Sequence, residues 1–395
     1  MKPSQPSPQR PALLFLGSQM ETGGAQRVLL DQAAWFHARG IPVTAVFLYD
    51  KEGLHADWQA RADFPIVNLQ ARQRGEGGLR SAFRLAGGLL RLFRLLRSQP
   101  FSAVETFTHH ANLIGIPLAW LAGVPVRVAS HHGHILGFPR GLERLHAALM
   151  NSRLTTRLVA VSRRVLGEAV REGVRAEKVT VIPNGVNLPA ADPAAVQRVR
   201  AEWGLGAEDA LVLAVGRMTA QKAHTFLLQA AVPVLARFPR TVFAIVGDGP
   251  LRAELEAEAR ALGIAAQVRM PGIRGDVPQC MAAADVFALP SRWEGLPMVL
   301  LEALGMGAAV AATRVEGVDE VITDGENGLL ITPEDAAGLA EALLRLLEDA
   351  ELRGKLSRAG QACVRAQYTV DTMCTQYARW LIPAFQEGND DLDAA

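Results

Sequence analysis

Ile182-Pro-Asn-Gly185 divides the chain. On its N-terminal side, short apolar runs alternate with longer amphipathic segments. Strands are expected at 12–16, 43–48, 66–69, 103–106, 126–130, 158–161 and 179–182, with helical patterns such as 25–38, 79–97 and 163–172 between them. This is the βαβ rhythm of a parallel, doubly wound sheet. After Gly185 the rhythm stops for a polar, Pro- and Ala-rich stretch that reaches about Asp209 and holds a short helix near Ala194–Trp203. It restarts with strands at 211–215, 242–246, 268–270, 286–289, 309–312 and 328–331, and closes with helices at 336–348, 352–367 and 370–385. The expected architecture is α/β, with two Rossmann-like doubly wound domains at 1–188 and 189–369. The last helix is expected to return to the first domain. Ligands of open α/β sheets sit beyond the carboxyl ends of the strands, so two facing sheets would share one substrate across a cleft.

Composition agrees with two ordinary domains in 395 residues. Hydrophobic residues make up 49% and charged residues 21%, enough for two cores. A net charge of +1 argues against a nucleic-acid partner. Cys280, Cys363 and Cys374 are isolated and lack metal-ligand spacing, which points to a reducing compartment. The longest uncharged apolar stretch, Leu113–Val126, contains two prolines and is shorter than the ~20 residues of a membrane span. A cytoplasmic protein is expected.

Three strand ends carry candidate chemistry. Gly23-Gly24-Ala25 follows the first strand and is either a plain strand–helix turn or a backbone approach to phosphate. Arg217 and Lys222 follow the strand at 211–215. They are either solvated cations or partners for a diphosphate, Arg as a planar fork and Lys as a point charge. Glu294-Gly-Leu-Pro-Met-Val-Leu-Leu-Glu302 sets two carboxylates around a helix entrance, with Pro297 suited to the first helical position. That entrance offers backbone N–H groups and a positive dipole end to phosphate. The glutamates alone also fit solvated residues or a glycosidase-like acid/base pair. A hydrolase has no diphosphate for Arg217 and Lys222 to hold, which counts against the last.

In this order and spacing, these elements resemble the family 4 retaining glycosyltransferases of GT-B fold. Val181-Ile-Pro-Asn-Gly-Val186, Ile245-Val-Gly-Asp-Gly-Pro250, Ala283–Ser291 and the block Gly317–Gly328 match as well, and the resemblance runs from about Leu13 to Tyr377. It implies a hexosyltransferase that uses a nucleotide-diphospho-sugar as co-substrate and needs no cofactor or metal ion. Arg217 and Lys222 would bind the diphosphate, Glu302 the ribose, and Glu294 the transferred sugar. The backbone N–H groups of Met298 and Val299 would reach the phosphates, and Gly24 would approach them from the other domain. Backbone around Ile273 and Arg274 would face the base. Pro297 departs from members with Gly there and has no N–H to donate.

The acceptor would be a glycan or a lipid-linked glycan of the cell envelope, lipopolysaccharide or exopolysaccharide. Many members place a functional His after the strand at 103–106. His110 is the first candidate and His109 the second, because the earlier position is Phe107. His131, His132 and His134 follow the next strand and could also line the acceptor side. Competing functions are a GT-B nucleotide-sugar epimerase and a non-catalytic nucleotide-sugar-binding scaffold.

Arg80, Arg84, Arg91 and Arg94 share one face of the 79–97 helix, with Leu85, Leu89, Leu92 and Leu96 around the rest. Two readings stand: an ordinary α/β helix with solvated arginines, or a helix lying on the inner face of an anionic membrane. Gly87 and Gly88 weaken the helix at its middle.

Overall fold

The computed structural model describes residues 11–73, 77–133 and 139–382. Two compact units divide the chain, one of residues 1–184 with 370–395 and the other of residues 185–369.

The first unit holds a seven-stranded sheet of β1 (Ala12–Met20), β2 (Val43–Asp50), β3 (Ile66–Asn68), β4 (Phe101–Phe107), β5 (Val126–His131), β6 (Arg157–Ala160) and β7 (Val179–Val181). Its order is β3-β2-β1-β4-β5-β6-β7, and every pairing is parallel. The crossovers are α1 (Gly24–Ala38), α2 (His55–Arg61), α3 (Gly78–Ser98), α4 (His109–Leu121), α5 (Arg140–Asn151) and α6 (Arg163–Arg171). Parallel strands covered on both faces read as unbroken apolar runs, and Leu13 to Leu16 are all buried.

The second unit repeats the plan. It begins with α7 (Pro193–Glu202), which Asp192 caps by accepting from the Ala194 N–H. Its strands are β8 (Leu211–Val215), β9 (Val242–Val246), β10 (Val268–Gly272), β11 (Val286–Leu289), β12 (Ala309–Thr313) and β13 (Leu329–Ile331). Their order is β10-β9-β8-β11-β12-β13. The helices are α8 (His224–Arg237), α9 (Arg252–Ala261), α10 (Val277–Ala283), α11 (Met298–Gly305), α12 (Ala336–Glu348) and α13 (Ala350–Gln367). In each sheet the winding direction reverses once, between β1 and β4 and between β8 and β11. Such switch points are where open α/β sheets bind ligands.

After α13 the chain rejoins the first unit as α14 (Val370–Leu381). The helix packs against α1, β4 and β5. Asp371 accepts from Trp35 Nε1 at 2.9 Å and pairs with Arg39 at 2.8 Å, while Tyr377 is fully buried.

α3 differs from its sequence pattern in two ways. Gly88 serves a close approach, since a Cβ there would meet the Ala71 Cβ at 2.5 Å. Arg91 is not a loose surface cation: its Nε donates to the Leu69 carbonyl at 3.0 Å. Leu92 and Leu96 are buried, whereas Leu79 (78%) and Phe83 (75%) stand exposed.

Candidate active site

In the second unit, the loops after β8 and β11 meet at the switch point. Arg292 donates its backbone N–H to the Gln221 carbonyl at 2.8 Å and its Nη1 to the Ala220 carbonyl at 3.0 Å. Gln221 Nε2 returns a bond to the Trp293 carbonyl at 3.0 Å. This stitching brings Lys222 to Glu294, Nζ to Oε1 at 2.7 Å. Ser291 Oγ donates to the same oxygen at 2.6 Å, and Thr313 Oγ1 anchors the Ser291 carbonyl at 2.5 Å. The pair is well shielded, Lys222 retaining 16% and Glu294 6% of its side-chain exposure. A Lys–carboxylate pair at this burial outweighs an exposed one, because solvent screens it less. Arg217, on the same loop, is exposed.

The turn from Glu294 into α11 is held from below. Gly317 lies at φ +77°, and a Cβ there would sit 1.9 Å from the Gly295 carbonyl oxygen. Only glycine lets the two backbones approach so closely. Pro297 is the N-cap rather than the first helical residue; helical geometry begins at Met298. Leu300 and Leu301 return their amides to the Pro297 carbonyl. Among the described residues, the amides of Met298 and Val299 make no hydrogen bond. Two open N–H groups at a helix N-terminus have the chemistry to meet an anion. Glu302 lies one turn further inside, partly buried.

Arg274 is placed otherwise. Its guanidinium is committed to Glu202 (Nη2 to Oε2, 2.9 Å) and to Asp276 (Nε to Oδ1, 2.8 Å). Those bonds, first from Asp276 and then from Glu202, push its pKa above the ordinary arginine value. The side chain is a structural clamp, while the neighbouring Ile273 is 74% exposed.

In the first unit, Gly24 is the exposed first residue of α1. The ends of β4 and β5 separate the histidines. His109 is buried, whereas His110 is exposed. Burial lowers the His110 pKa, with the charges of His109 and Arg72 adding to the effect. His131 is buried, and burial lowers its pKa. The His132 ring stacks on Phe107 at 5.6 Å, and its Nε2 is sealed from solvent without a partner. Burial, then the neighbouring His131, takes its pKa down to about 3, so the ring is neutral. His134 lies outside the described residues.

Sequence reasoning missed two groups. Glu172 and His146 lie in ordinary helical contexts yet reach His109 and His131. Glu105, inside β4, is buried and hydrogen-bonded by Ser130 Oγ at 2.7 Å. Burial raises its carboxyl pKa to about 8, and the Ser130 bond opposes the rise only in part. A carboxylate in the middle of an apolar strand is its only trace in the sequence.

Two doubly wound parallel units, the second carrying a cation–carboxylate pair beside an open helix entrance, define the GT-B class of fold. Residues 22–189 match the family described as Glycosyltransferase Family 4, and residues 196–362 match Glycosyl transferases group 1. The UDP-Gal:alpha-D-GlcNAc-diphosphoundecaprenol alpha-1,3-galactosyltransferase of Escherichia coli is 30% identical over 271 residues, 66% of this chain and 70% of that one. The lipopolysaccharide core biosynthesis glycosyltransferase LpsE of Rhizobium meliloti is 33% identical over 182 residues; the match covers 46% of this chain and about half (52%) of that relative. The crystal structure of HepE from Anabaena, in complex with UDP-glucose, superposes with a TM-score of 0.81 at 24% identity, over 93% of this chain and 98% of that one. The chain belongs to the family 4 glycosyltransferases.

Proposed function

We propose that this glycosyltransferase is a retaining hexosyltransferase. It moves a sugar from a nucleotide-diphospho-sugar to a hydroxyl of a glycan or lipid-linked acceptor in envelope polysaccharide or lipopolysaccharide synthesis. The observation that carries the reading is the Lys222–Glu294 pair at 2.7 Å beside the open amides of Met298 and Val299. One constellation offers a cation and two N–H donors to a diphosphate, and a carboxylate to sugar hydroxyls. The relatives' names point the same way: a UDP-sugar donor and a diphospholipid acceptor for one, the lipopolysaccharide core for another.

In the proposed mechanism, Arg217 and Lys222 hold the diphosphate, Glu302 the ribose and Glu294 the transferred sugar. Lys222 exchanges part of its contact with Glu294 for phosphate oxygen. The acceptor oxygen bonds to the anomeric carbon on the face from which the phosphate departs. The anomeric C–O bond breaks, and the acceptor proton passes to the leaving phosphate oxygen. Charge that develops on that oxygen is met by Lys222, Arg217 and the α11 entrance, a form of stabilisation that is often the largest single contribution. The base contact falls to backbone near Ile273, because the Arg274 side chain is engaged elsewhere. His110 and His132 mark the acceptor side.

α3 gives the acceptor a physical setting. Leu79, Phe83, Leu90, Arg94 and Arg97 share its exposed face by the helical period, and Leu79 and Phe83 are about three-quarters exposed. Apolar anchors beside arginines suit an anionic membrane surface. Among the described residues no helix is long and apolar enough to cross a membrane.

A melting screen across UDP-, GDP- and ADP-sugars tests the donor site. One nucleotide class at 100 times its Kd is expected to stabilise the protein by about 2.7 kcal/mol. A flat response to all three classes would overturn the reading.

A further inference from the structure

Glu172, which follows α6, collects three buried imidazoles from three other elements. Its Oε2 lies 3.3 Å from Nε2 of His109 at the start of α4 and 3.4 Å from Nε2 of His131 at the end of β5. Nδ1 of His146, in α5, is 3.9 Å away. Ligand atoms of His109, His146 and Glu172 all lie within 4.8 Å of one another, close enough for a metal ion.

The far sides of the rings argue against a metal. The Gly133 N–H donates to His131 Nδ1 at 3.3 Å, so the ring proton of His131 sits on Nε2. Asn112 Nδ2 donates to His146 Nε2 at 3.0 Å. The orientation of that amide is fixed, because Nδ2 also donates to the Ser130 carbonyl at 3.2 Å and Oδ1 accepts from Thr106 Oγ1 at 2.7 Å. The His146 proton therefore sits on Nδ1. A metal needs a bare ring nitrogen, with the N–H on the far side. His131 turns its Nε2–H to the Glu172 carboxylate, which accepts it, while the protonated Nδ1 of His146, 3.9 Å from that oxygen and without a hydrogen-bond partner, offers no lone pair to a metal.

We infer that Glu172 is a positioning residue. Its carboxylate accepts from His109 and His131 and, through them, holds the carboxyl ends of β4 and β5. The next residue along each strand end is His110 or His132. Between β4 and His109 stands Thr108 at φ 75°, a left-handed conformation costly for a branched residue. A strained hinge of this kind persists only where its surroundings hold it, and the His109–Glu172 contact is part of that hold. The inference rests on the proposed function in one respect, the acceptor-side role of these strand ends.

Selective ¹⁵N-histidine NMR tests the contact whether or not transfer is ever observed. At pH 7 the wild type is expected to show His131 as the Nε2–H tautomer and His146 as Nδ1–H, and Glu172→Gln to keep both tautomers while shifting the His131 Nε2–H signal, which loses its carboxylate acceptor; an unmoved signal would overturn the contact. The opposite tautomers, or uptake of one equivalent of zinc by the wild type with loss of the His146 Nδ1–H signal, would overturn the inference. Kinetics with the nucleotide sugar that the melting screen selects supply the second arm. Glu172→Gln is expected to lower kcat about tenfold while the donor KM stays within about twofold, the pattern of an interaction lost outside donor binding. Wild-type kcat in a variant whose His131 signal has moved would make Glu172 a stability residue only. Failure of the donor screen alone would leave the tautomer result standing and discard the proposed function.

Discussion

Glu294, on the loop after β11, and Glu172, which gathers histidines from the ends of β4 and β5, are both shielded carboxylates, yet their partners differ in kind. Glu294 faces one full cation, Lys222, and one hydroxyl, Ser291. Glu172 faces imidazoles drawn from three elements. Burial opposes its ionisation, but hydrogen bonds from His109 and His131 outweigh that and hold its pKa well below the usual carboxylate range. The first arrangement can trade its cation to an incoming phosphate. The second has no surplus charge to lend, and its donors are sealed in. One carboxylate is suited to chemistry and the other to holding a shape.

The largest expected effect breaks the comparison most directly. Lys222→Ala and Glu294→Ala should each reduce kcat/KM by about 10²–10³-fold, the scale of a lost transition-state contact. Unfolding free energy should fall by about 1–2 kcal/mol, more than for an exposed pair but less than for a fully stranded interior charge, because Glu294 keeps the Ser291 bond and Lys222 keeps partial solvent contact. Steady-state kinetics and denaturant unfolding on the same preparations check both halves. Near-wild-type turnover in either variant would remove the pair from the active site.

Glu172→Ala should reverse the balance. It strands buried imidazole N–H groups, and the expected loss of stability is about 2–3 kcal/mol. Denaturant midpoints compared with those of Glu294→Ala measure the contrast. Equal losses in the two would mean that the carboxylates share one role.

The difference between the two sites also explains what the sequence could reveal. Lys222, Glu294 and Glu302 stand in short motifs next to strands whose apolar runs are readable, so the strand ends place them. The two-sheet architecture was legible for the same reason: β8, β9, β11 and β12 are continuous buried runs. Glu172 and His146 are invisible that way. The cluster forms only when α4 is laid against β4 and β5, α5 against α4, and α6 against β6 and β7, and none of its members lies within a helical turn of another. Arg274 illustrates a third case. The sequence marks its loop as a candidate, but only the fold shows Glu202, 72 residues away, taking its side chain. Gly88 inverts a propensity argument, because packing against Ala71 requires the residue that helix propensity disfavours.

A third carboxylate sharpens the comparison by having neither a cation nor imidazoles. Glu105 is buried in β4 with Ser130 Oγ on one oxygen and no partner on the other. Burial raises its pKa from 4.5 to about 8, so the folded protein holds a proton there that the unfolded chain has already released above pH 4.5. Stability attributable to this group is therefore present at low pH and falls as pH rises from about 4.5 toward 8. The slope is at most about 1.4 kcal/mol per pH unit, one proton's worth. Glu105→Gln keeps the shape and removes the proton exchange. Denaturant unfolding of both proteins between pH 5 and pH 8 should show the variant gaining steadily on the wild type. Parallel curves would mean that Glu105 is ionised in the fold at neutral pH, and that a hydroxyl alone can hold a buried carboxylate as Lys222 holds Glu294.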